Sequence, residues 1–204
     1  MSWRPTLVPS VGVHDPLTAE KALAEMGVWR NLDEERLAEY RNLVTERGDD
    51  ALFKGAFPEH LTSSLFVFNA SCTKILLTLH TKGQFWVQFG GHIEAWDKSL
   101  AHAALREGIE ESGIEDLELL SINPADLDVH ELGGGFGSVC REHWDIGYVA
   151  IVPDGTEPVR SEESDDVAWF DVDALPENAA ANMLPRISLA LALAETHDDV
   201  EVED

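Results

Sequence analysis

Three glutamates, Glu107, Glu110 and Glu111, fall close together in the segment LREGIEESG, which has the pattern of a helix. Because residues three and four apart are neighbours on a helix, the three side chains share one sector of its surface. Like charges repel at this spacing, and they lie near the helix C-terminus, where the macrodipole disfavours anions. Carboxylates are the ligands that Mg²⁺ prefers, often together with substrate phosphates. A solvated acidic face gives the same spacing, so spacing alone leaves both interpretations open.

The residues around these glutamates indicate how a ligand would be accommodated. Gly90 and Gly91, just upstream, let the backbone approach a ligand closely and turn sharply into the helix. Ala103 is small and lies in the acidic sector, so we expect it to leave room for metal and substrate. The opposite sector is an apolar stripe for the core, formed by Ala101, Leu105, Gly108 and Ile109.

The segment GGHIEAWDKSLAHAALREGIEESGI resembles the Nudix box, whose pattern is G-x5-E-x7-R-E-U-x-E-E-x-G-U with U an apolar residue. The second half of that pattern is matched by Arg106, Glu107, Glu110, Glu111, Gly113 and Ile114. The order of predicted elements from about residue 61 to residue 195 is also similar to that of the family. The resemblance does not cover the first ~60 residues.

The first half of the box departs from the pattern. Gly91 lies fifteen residues before Arg106, one more than the pattern has. The first glutamate of the pattern is therefore missing. Counting forward from Gly91 puts Asp97 at its position, and counting back from Arg106 puts Lys98 there. We prefer Asp97, because an aspartate can cap the helix N-terminus. Gly108 takes the place of the apolar residue after Arg-Glu.

The resemblance implies a hydrolase that cleaves a pyrophosphate bond in a nucleoside diphosphate linked to another group, with Mg²⁺ or Mn²⁺ as its cofactor. It implies that Glu107 and Glu111 are metal ligands and that Glu110 is a ligand or orients the attacking water. The Gly91 region would offer a backbone carbonyl to the metal. Arg106 would be the ion-pair partner that fixes the glutamates.

The general base in similar enzymes often comes from a loop outside the box. The segment SEESDD, residues 161–166, is an acidic loop that precedes the predicted strand VAWFD. Within it we choose Glu163 over Glu162 as the catalytic base. A solvated acidic turn explains the segment equally well.

Three further residues are candidates for binding the substrate. His92 follows the glycine pair and would contact phosphate, and Trp96 precedes the helix and would stack on a base. His143 alternates with Asp145 on a predicted strand, so both point to one face. The pair would bind substrate or transfer a proton, and a polar pair satisfied within the sheet is the alternative.

The composition restricts the class of partner. The chain has 204 residues, of which 44% are hydrophobic, so it can bury a core. Acidic residues outnumber basic ones 39 to 14, for a net charge of −25. This balance excludes a nucleic-acid duplex held by charge and disfavours an anionic membrane surface. A small phosphorylated substrate, whose charge metal ions would offset, is the expected partner.

The cysteines and the N-terminus indicate a reduced compartment. Cys72 and Cys140 are too few for a disulfide framework and match no metal-binding spacing. The N-terminus lacks the apolar run of a signal peptide, and no stretch approaches the ~20 apolar residues that span a bilayer. The expected localisation is cytoplasmic.

Hydrophobic periodicity predicts the helices and strands that must position these residues. Helices are predicted over residues 15–26, 32–47, 99–112 and 184–195, and strands over residues 63–70, 74–80, 85–89, 117–121, 127–132, 143–152 and 167–171. The first two strands form a predicted hairpin, and residues 133–137 (GGGFG) form a loop. The fold class is α/β (α+β): a Nudix-type α/β/α sandwich with a mixed β-sheet and a helical N-terminal extension.

The expected domain organisation is a helical N-terminal extension at residues 1–59, a Nudix hydrolase domain at residues 60–197 and an acidic tail at residues 198–204. The extension has too little apolar surface to stand alone. We therefore expect it to pack either on the rest of the chain or on a second subunit of a homodimer.

Two other functions fit the same fold. A ligand-sensing or interaction domain that has lost turnover would explain the irregular first half of the box and Gly108. An isomerase of an isoprenoid diphosphate would need Cys72 or Cys140 in the pocket as a proton donor. The intact set of Arg106 and the three glutamates favours the hydrolase.

Overall fold

The computed structural model describes residues 16–133, 140–159 and 164–198. The helices there are α1 (Ala19–Val28), α2 (Glu34–Arg47), α3 (Leu100–Ser112) and α4 (Met183–Asp198). The strands are β1 (Glu59–Asn69), β2 (Lys74–His80), β3 (Trp86–Val87), β4 (Phe89–His92), β5 (Asp126–Glu131), β6 (Glu142–Val152) and β7 (Ser164–Asp171). All four predicted helices are present.

The sheet is mixed and centred on β1. β1 runs parallel to β6 over its whole length, from the pair Glu59↔Glu142 to the pair Asn69↔Val152. β2 and β4 pair with β1 in the antiparallel sense, and β5 pairs antiparallel with β6. β3 and β7 both pair with β2. The predicted β1–β2 hairpin is therefore confirmed.

Alternation along β1 gives the sheet two apolar faces, each covered by helices. Leu61 and Leu65 face the cluster that includes side chains of α1, α2 and α3. Phe66 and Phe68 face the cluster that includes α4. Because successive strand residues point to opposite faces, one strand serves both cores. The predicted sandwich of helices around a mixed sheet is confirmed.

The N-terminal helices dock on the same chain. Thr18 caps α1 and Asp33 caps α2 through their side-chain oxygens. Buried side chains of both helices, Met26 and Tyr40 among them, join the core cluster that contains α3. Packing within the chain is thus the arrangement found, while the division at residue 59 and a homodimer stay predictions.

Two predicted strands differ from the structure. Residues 117–121 form no strand, because Leu119 alone makes a bridge, to Ala150, and the ladder does not extend. Residues 85–89 are divided between β3 and β4, because the chain leaves β2 and joins β1 at Gln88. β4 then continues through both glycines to His92, which the sequence placed beyond the strand.

The predicted acidic loop over residues 161–166 also needs correction. Asp165 and Asp166 belong to β7, which begins at Ser164, because pairing with β2 extends as far as His80↔Ser164. Glu162 and Glu163 lie outside the described residues, as do positions 134–137 of the glycine-rich loop and residues 199–204 of the tail.

No helix within the described ranges is both long enough and apolar enough to cross a bilayer.

Candidate active site

Helix α3 begins one residue after its cap, Ser99, whose side-chain oxygen accepts a hydrogen bond from the backbone N–H of His102. It ends at Gly113, which adopts the left-handed conformation with φ of 67°. The prediction that Asp97 caps this helix is wrong. Asp97 lies two residues before the cap and is completely buried.

Arg106 is the centre of an ion-pair network on α3. Its Nε and Nη2 donate to the two carboxylate oxygens of Asp97, at 3.0 and 2.9 Å. Its Nη1 donates to Glu107 at 2.9 Å and to Glu110 at 3.0 Å. Nη2 also donates to the carbonyl oxygen of His92 at 3.0 Å. Arg106 therefore makes the ion pairs with Glu107 and Glu110 that the resemblance implies, and it forms a further one with Asp97.

The charge on Asp97 depends on its partners. Burial by itself would raise the pKa of its carboxyl group. Hydrogen bonds from Arg106, from the backbone N–H of Glu94 and from His102 favour the ionised form and outweigh burial. The net pKa of Asp97 is below its ordinary value, so this buried group is an anion at neutral pH.

Glu107 and Glu111 approach the glycines of β4. A Cβ built on Gly91 would lie 2.6 Å from Oε1 of Glu107, so a side chain there would displace the carboxylate. Oε2 of Glu111 accepts a hydrogen bond from the backbone N–H of Gly90 at 3.1 Å. Two carboxylates beside half-buried glycine backbone form the oxygen donor set that Mg²⁺ or Mn²⁺ takes, so these residues fit such an ion.

The two glutamates line a cavity of about 610 Å³, which lies within the usual size range of ligand sites. Gly90, Gly91, His92 and His143 also line it. Its charged lining residues are Lys54, Lys82, Arg186, Glu94, Glu107, Glu111, Glu131 and Asp145. Cationic side chains and a carboxylate pair in one cavity would suit a ligand that carries phosphate together with a divalent cation.

Asp145, which is buried on β6, is one of the residues that line the cavity. Its carboxylate accepts hydrogen bonds from Thr62 at 2.8 Å and Ser64 at 2.6 Å, both on β1. Arg186 of α4 donates to it at 2.7 Å and also pairs with Asp126. Burial would raise the pKa of Asp145, but the charge of Arg186 and these hydrogen bonds lower it. Asp145 is thus the satisfied interior group that the sequence left as an alternative.

His143 lies in a group that sequence reasoning missed. The histidine–cysteine cluster consists of His60, His92, Cys140 and His143. Burial lowers the pKa of His92 to about 4, with a further contribution from the charge of Lys54, and burial lowers that of His143 to about 3. Burial likewise lowers the pKa of His60. All three imidazoles are therefore neutral at pH 7.

Cys140 belongs to this cluster although neither cysteine matches a metal-binding spacing along the chain. Spacing could not reveal the cluster, because its members come from separate segments of the chain. Arg186 was also missed, although it is the only Lys or Arg of α4 and stands out in an otherwise apolar segment.

The remaining predicted site residues lie elsewhere. Trp96 is 57% exposed and Glu110 has 53% of its side chain exposed, and neither lines the described part of the cavity. Ala103 is fully buried in the core, so the expectation that it leaves room for a ligand is wrong. Glu163 lies outside the described residues.

Comparisons with known proteins agree with this geometry. The family model of the NUDIX domain matches residues 58–189, which is more than half of the chain. No curated protein matches the sequence.

Solved structures show the same fold. A hydrolase of the NUDIX family from Clostridium perfringens has a TM-score of 0.52 and 26% identity, covering 67% of this chain and 97% of its own. An Ap4A hydrolase from C. elegans has a TM-score of 0.55 and 18% identity, with coverages of 67% and 98%. The dihydroneopterin triphosphate pyrophosphohydrolase of E. coli has a TM-score of 0.53 and 16% identity, with coverages of 72% and 99%.

The family match, the sandwich fold and the Arg106 network agree with one another. The chain therefore belongs to the NUDIX family and is, as predicted, a hydrolase of the Nudix type.

Proposed function

We propose that the chain hydrolyses a pyrophosphate bond in a nucleoside diphosphate linked to another group, with Mg²⁺ or Mn²⁺ as cofactor. One observation carries the proposal: Glu107 and Glu111 line the cavity next to Gly90 and Gly91 of β4, and Arg106 forms an ion pair with Glu107. Two similar structures are named as an Ap4A hydrolase and a triphosphate pyrophosphohydrolase, which agrees with this class of substrate.

The residues of the carboxylate site have separate tasks in this proposal. Glu107, Glu111 and the backbone of Gly91 hold the cation, with Glu110 as a further ligand or as the group that orients the attacking water. The bound ion supplies charge neutralisation at the phosphoryl oxygens and a lower pKa for water. Arg106 keeps Glu107 and Glu110 in position through its ion pairs.

A carboxylate outside the ligand set would accept the proton of the attacking water. We keep Glu163 for this task. Ser164, the residue that follows it, pairs with His80 of β2, and His80 lines the cavity. The described start of β7 is therefore paired with a residue that lines the cavity.

Substrate recognition is assigned to groups outside the box. His92 and His143 line the cavity and would contact the substrate there. Lys54 and Lys82, also on its wall, would receive the phosphates. Trp96, exposed before α3, would stack on a base that extends beyond the cavity.

A substrate panel tests the proposal. It contains nucleotide sugars, dinucleotides, oxidised nucleotides and non-nucleotide diphosphates, each assayed for phosphate-bearing products with Mg²⁺ and with Mn²⁺. We expect metal-dependent release of such products from at least one nucleoside-diphosphate derivative. Saturable binding of these compounds without turnover would instead support the ligand-sensing domain.

Cys140 keeps the isomerase as a second candidate, because it lines the cavity as that function requires. The panel therefore includes an isoprenoid diphosphate, with isomerisation followed separately from hydrolysis. Isomerised product without release of phosphate would favour this candidate over the hydrolase.

A further inference from the structure

The histidine–cysteine cluster is assembled by strand register, and three of its members, His92, Cys140 and His143, line the cavity. His60 of β1 is the direct partner of His143 in the parallel β1–β6 ladder. His92, at the end of β4, is the partner of Thr62, which lies two residues from His60 and so on the same face. Cys140 lies just before β6 and is buried. Residues far apart in the sequence are thus brought to one point.

The distances within the cluster are those of a nearly formed tetrahedral site. The three imidazole rings of the cluster are 5.2 Å apart, centroid to centroid, in every pair. Sγ of Cys140 lies 3.9 Å from Nε2 of His60 and 3.7 Å from Nε2 of His92. All four ligand atoms are within 4.8 Å of one another. Tetrahedral zinc bonds of ~2.0–2.3 Å place ligand atoms ~3.3–3.6 Å apart, so a small contraction completes the site.

The hydrogen bonds around the cluster favour metal binding. Nδ1 of His60 lies 3.3 Å from the carbonyl oxygen of Phe57. A carbonyl oxygen can only accept a hydrogen bond, so Nδ1 must be the donor. The proton is therefore on Nδ1, and the lone pair of Nε2 is directed towards Cys140. Nε2 of His143 is buried and has no hydrogen-bond partner in the described part of the chain. Such a nitrogen needs a partner to offset its desolvation, and a metal ion is one.

We propose that the histidine–cysteine cluster binds one zinc ion in tetrahedral geometry, at a site separate from the carboxylates of α3. Imidazole and thiolate ligands select zinc rather than the Mg²⁺ or Mn²⁺ that carboxylates select. The ion forms three bonds to nitrogen and one to sulfur, and the Cys140 thiol releases its proton to solvent. Four protein ligands close the site to water, so its role is structural.

This ion would hold together strands whose residues line the cavity. It would join the start of β1, the end of β4 and the start of β6. The end of β4 includes Gly90 and Gly91, the glycines that Glu107 and Glu111 approach.

The inference rests on the cluster alone and does not depend on the proposed hydrolysis. With zinc bound, His92 and His143 would contact a substrate only through the part of each ring that faces away from the metal, and the Cys140 thiolate would not be free to act as the proton donor of an isomerase.

Cobalt spectroscopy on the full chain tests the site directly. With Co²⁺ under reducing, chelator-free conditions, we expect a thiolate-to-cobalt charge-transfer band and the intense visible bands of a tetrahedral ion. Stoichiometric Zn²⁺ should abolish both and raise the melting temperature, whereas Mg²⁺ should leave the spectrum unchanged. A cobalt spectrum without the charge-transfer band in the unsubstituted chain would overturn the proposal.

Variants locate the ion. Cys140→Ser should remove the charge-transfer band and weaken zinc binding by more than the ~10–100-fold that loss of an outer partner costs. Cys72→Ser is the matched control, since Cys72 lies between β1 and β2, away from the cluster, and should keep both properties. Glu111→Gln should also keep the band, which separates this site from the carboxylate site. Unchanged zinc affinity in Cys140→Ser would contradict the proposal.

Discussion

Glu25 of α1 caps α3: its Oε2 accepts a hydrogen bond from the backbone N–H of Leu100, at 2.9 Å. Its Oε1 accepts from the N–H of Ala101 at 3.0 Å and from the hydroxyl of Tyr148 at 3.0 Å. The first N–H groups of a helix have no partner within it, and an anion beside them is favoured by the macrodipole. Helix α1 thus supports the helix that carries the glutamates.

Replacing this cap should destabilise the fold. We expect Glu25→Gln to lower the free energy of unfolding by about 1 kcal/mol, because the amide has a single acceptor oxygen and presents a donor to the second N–H. Urea denaturation measures the change. Glu20→Gln is the control, since Glu20 is exposed on the same helix and should change stability by less than about 0.5 kcal/mol. Equal effects of the two substitutions would contradict the capping role.

Asp97 should make stability depend on pH in the acid range. Its folded-state pKa is lower than the ordinary value of 3.8, so the unfolded chain binds more protons below that pH. The stability that Asp97 contributes is fully present above about pH 3.8 and is lost as pH falls further, through the folded-state pKa. Asp97→Asn leaves Arg106 without its bidentate partner and should cost ~3–5 kcal/mol at pH 7.

The pH dependence distinguishes this ion pair from simple packing. The stability difference between wild type and Asp97→Asn should shrink as pH falls below about 3.8. Denaturant titrations between pH 7 and pH 3 measure it, with Asp116→Asn, at an exposed position, as the control. A difference that stays constant over this range would show that charge is not the cause.

A side chain at Gly91 should disturb the carboxylate site without unfolding the protein. In Gly91→Ala the new Cβ would meet Oε1 of Glu107 at 2.6 Å, and the end of the glutamate side chain must move. We expect weaker Mn²⁺ binding, seen as a smaller Mn²⁺-induced rise in melting temperature, and a lower kcat. The melting temperature without metal should change little.

Gly27→Ala is the control for Gly91→Ala, because a Cβ at Gly27 meets nothing within 4 Å. The Mn²⁺-induced shift should be the same in that variant as in wild type. If Gly91→Ala kept the full Mn²⁺-induced rise in melting temperature, Glu107 would not be a ligand of the metal.

The sequence predicts this site where its chemistry is local. Helical periodicity and the box motif place Glu107 and Glu111 on one helix close to the glycine pair, and the structure has both glutamates beside the glycines of β4. The departure at Gly108 is explained by packing between α3 and β1, which only the structure shows. A Cβ there would lie 2.4 Å from Cδ2 of Leu65, so the glycine allows α3 to lie close to β1.

The features that the sequence did not predict are set by long-range register. His60 reaches His143 only through the parallel β1–β6 ladder, and Arg186 reaches Asp145 only because α4 packs across the sheet. Neither pairing leaves a pattern in the spacing of residues along the chain. The same is true of Glu25, whose partners in α3 lie 75 and 76 residues further on.

Glu111→Gln should separate catalysis from stability. The glutamine oxygen can still accept the hydrogen bond from Gly90, and one of three crowded negative charges is removed, so the melting temperature should be nearly unchanged. Activity with Mg²⁺ should fall by ~10²–10³-fold or more, since a catalytic metal contributes several kcal/mol and each ~1.4 kcal/mol is tenfold in rate. Steady-state kinetics and thermal denaturation of the same preparation measure both. Glu115→Gln, at an exposed position just beyond α3, should retain full activity. A Glu111→Gln protein that melts early yet keeps its turnover would show that this carboxylate serves the fold rather than the metal.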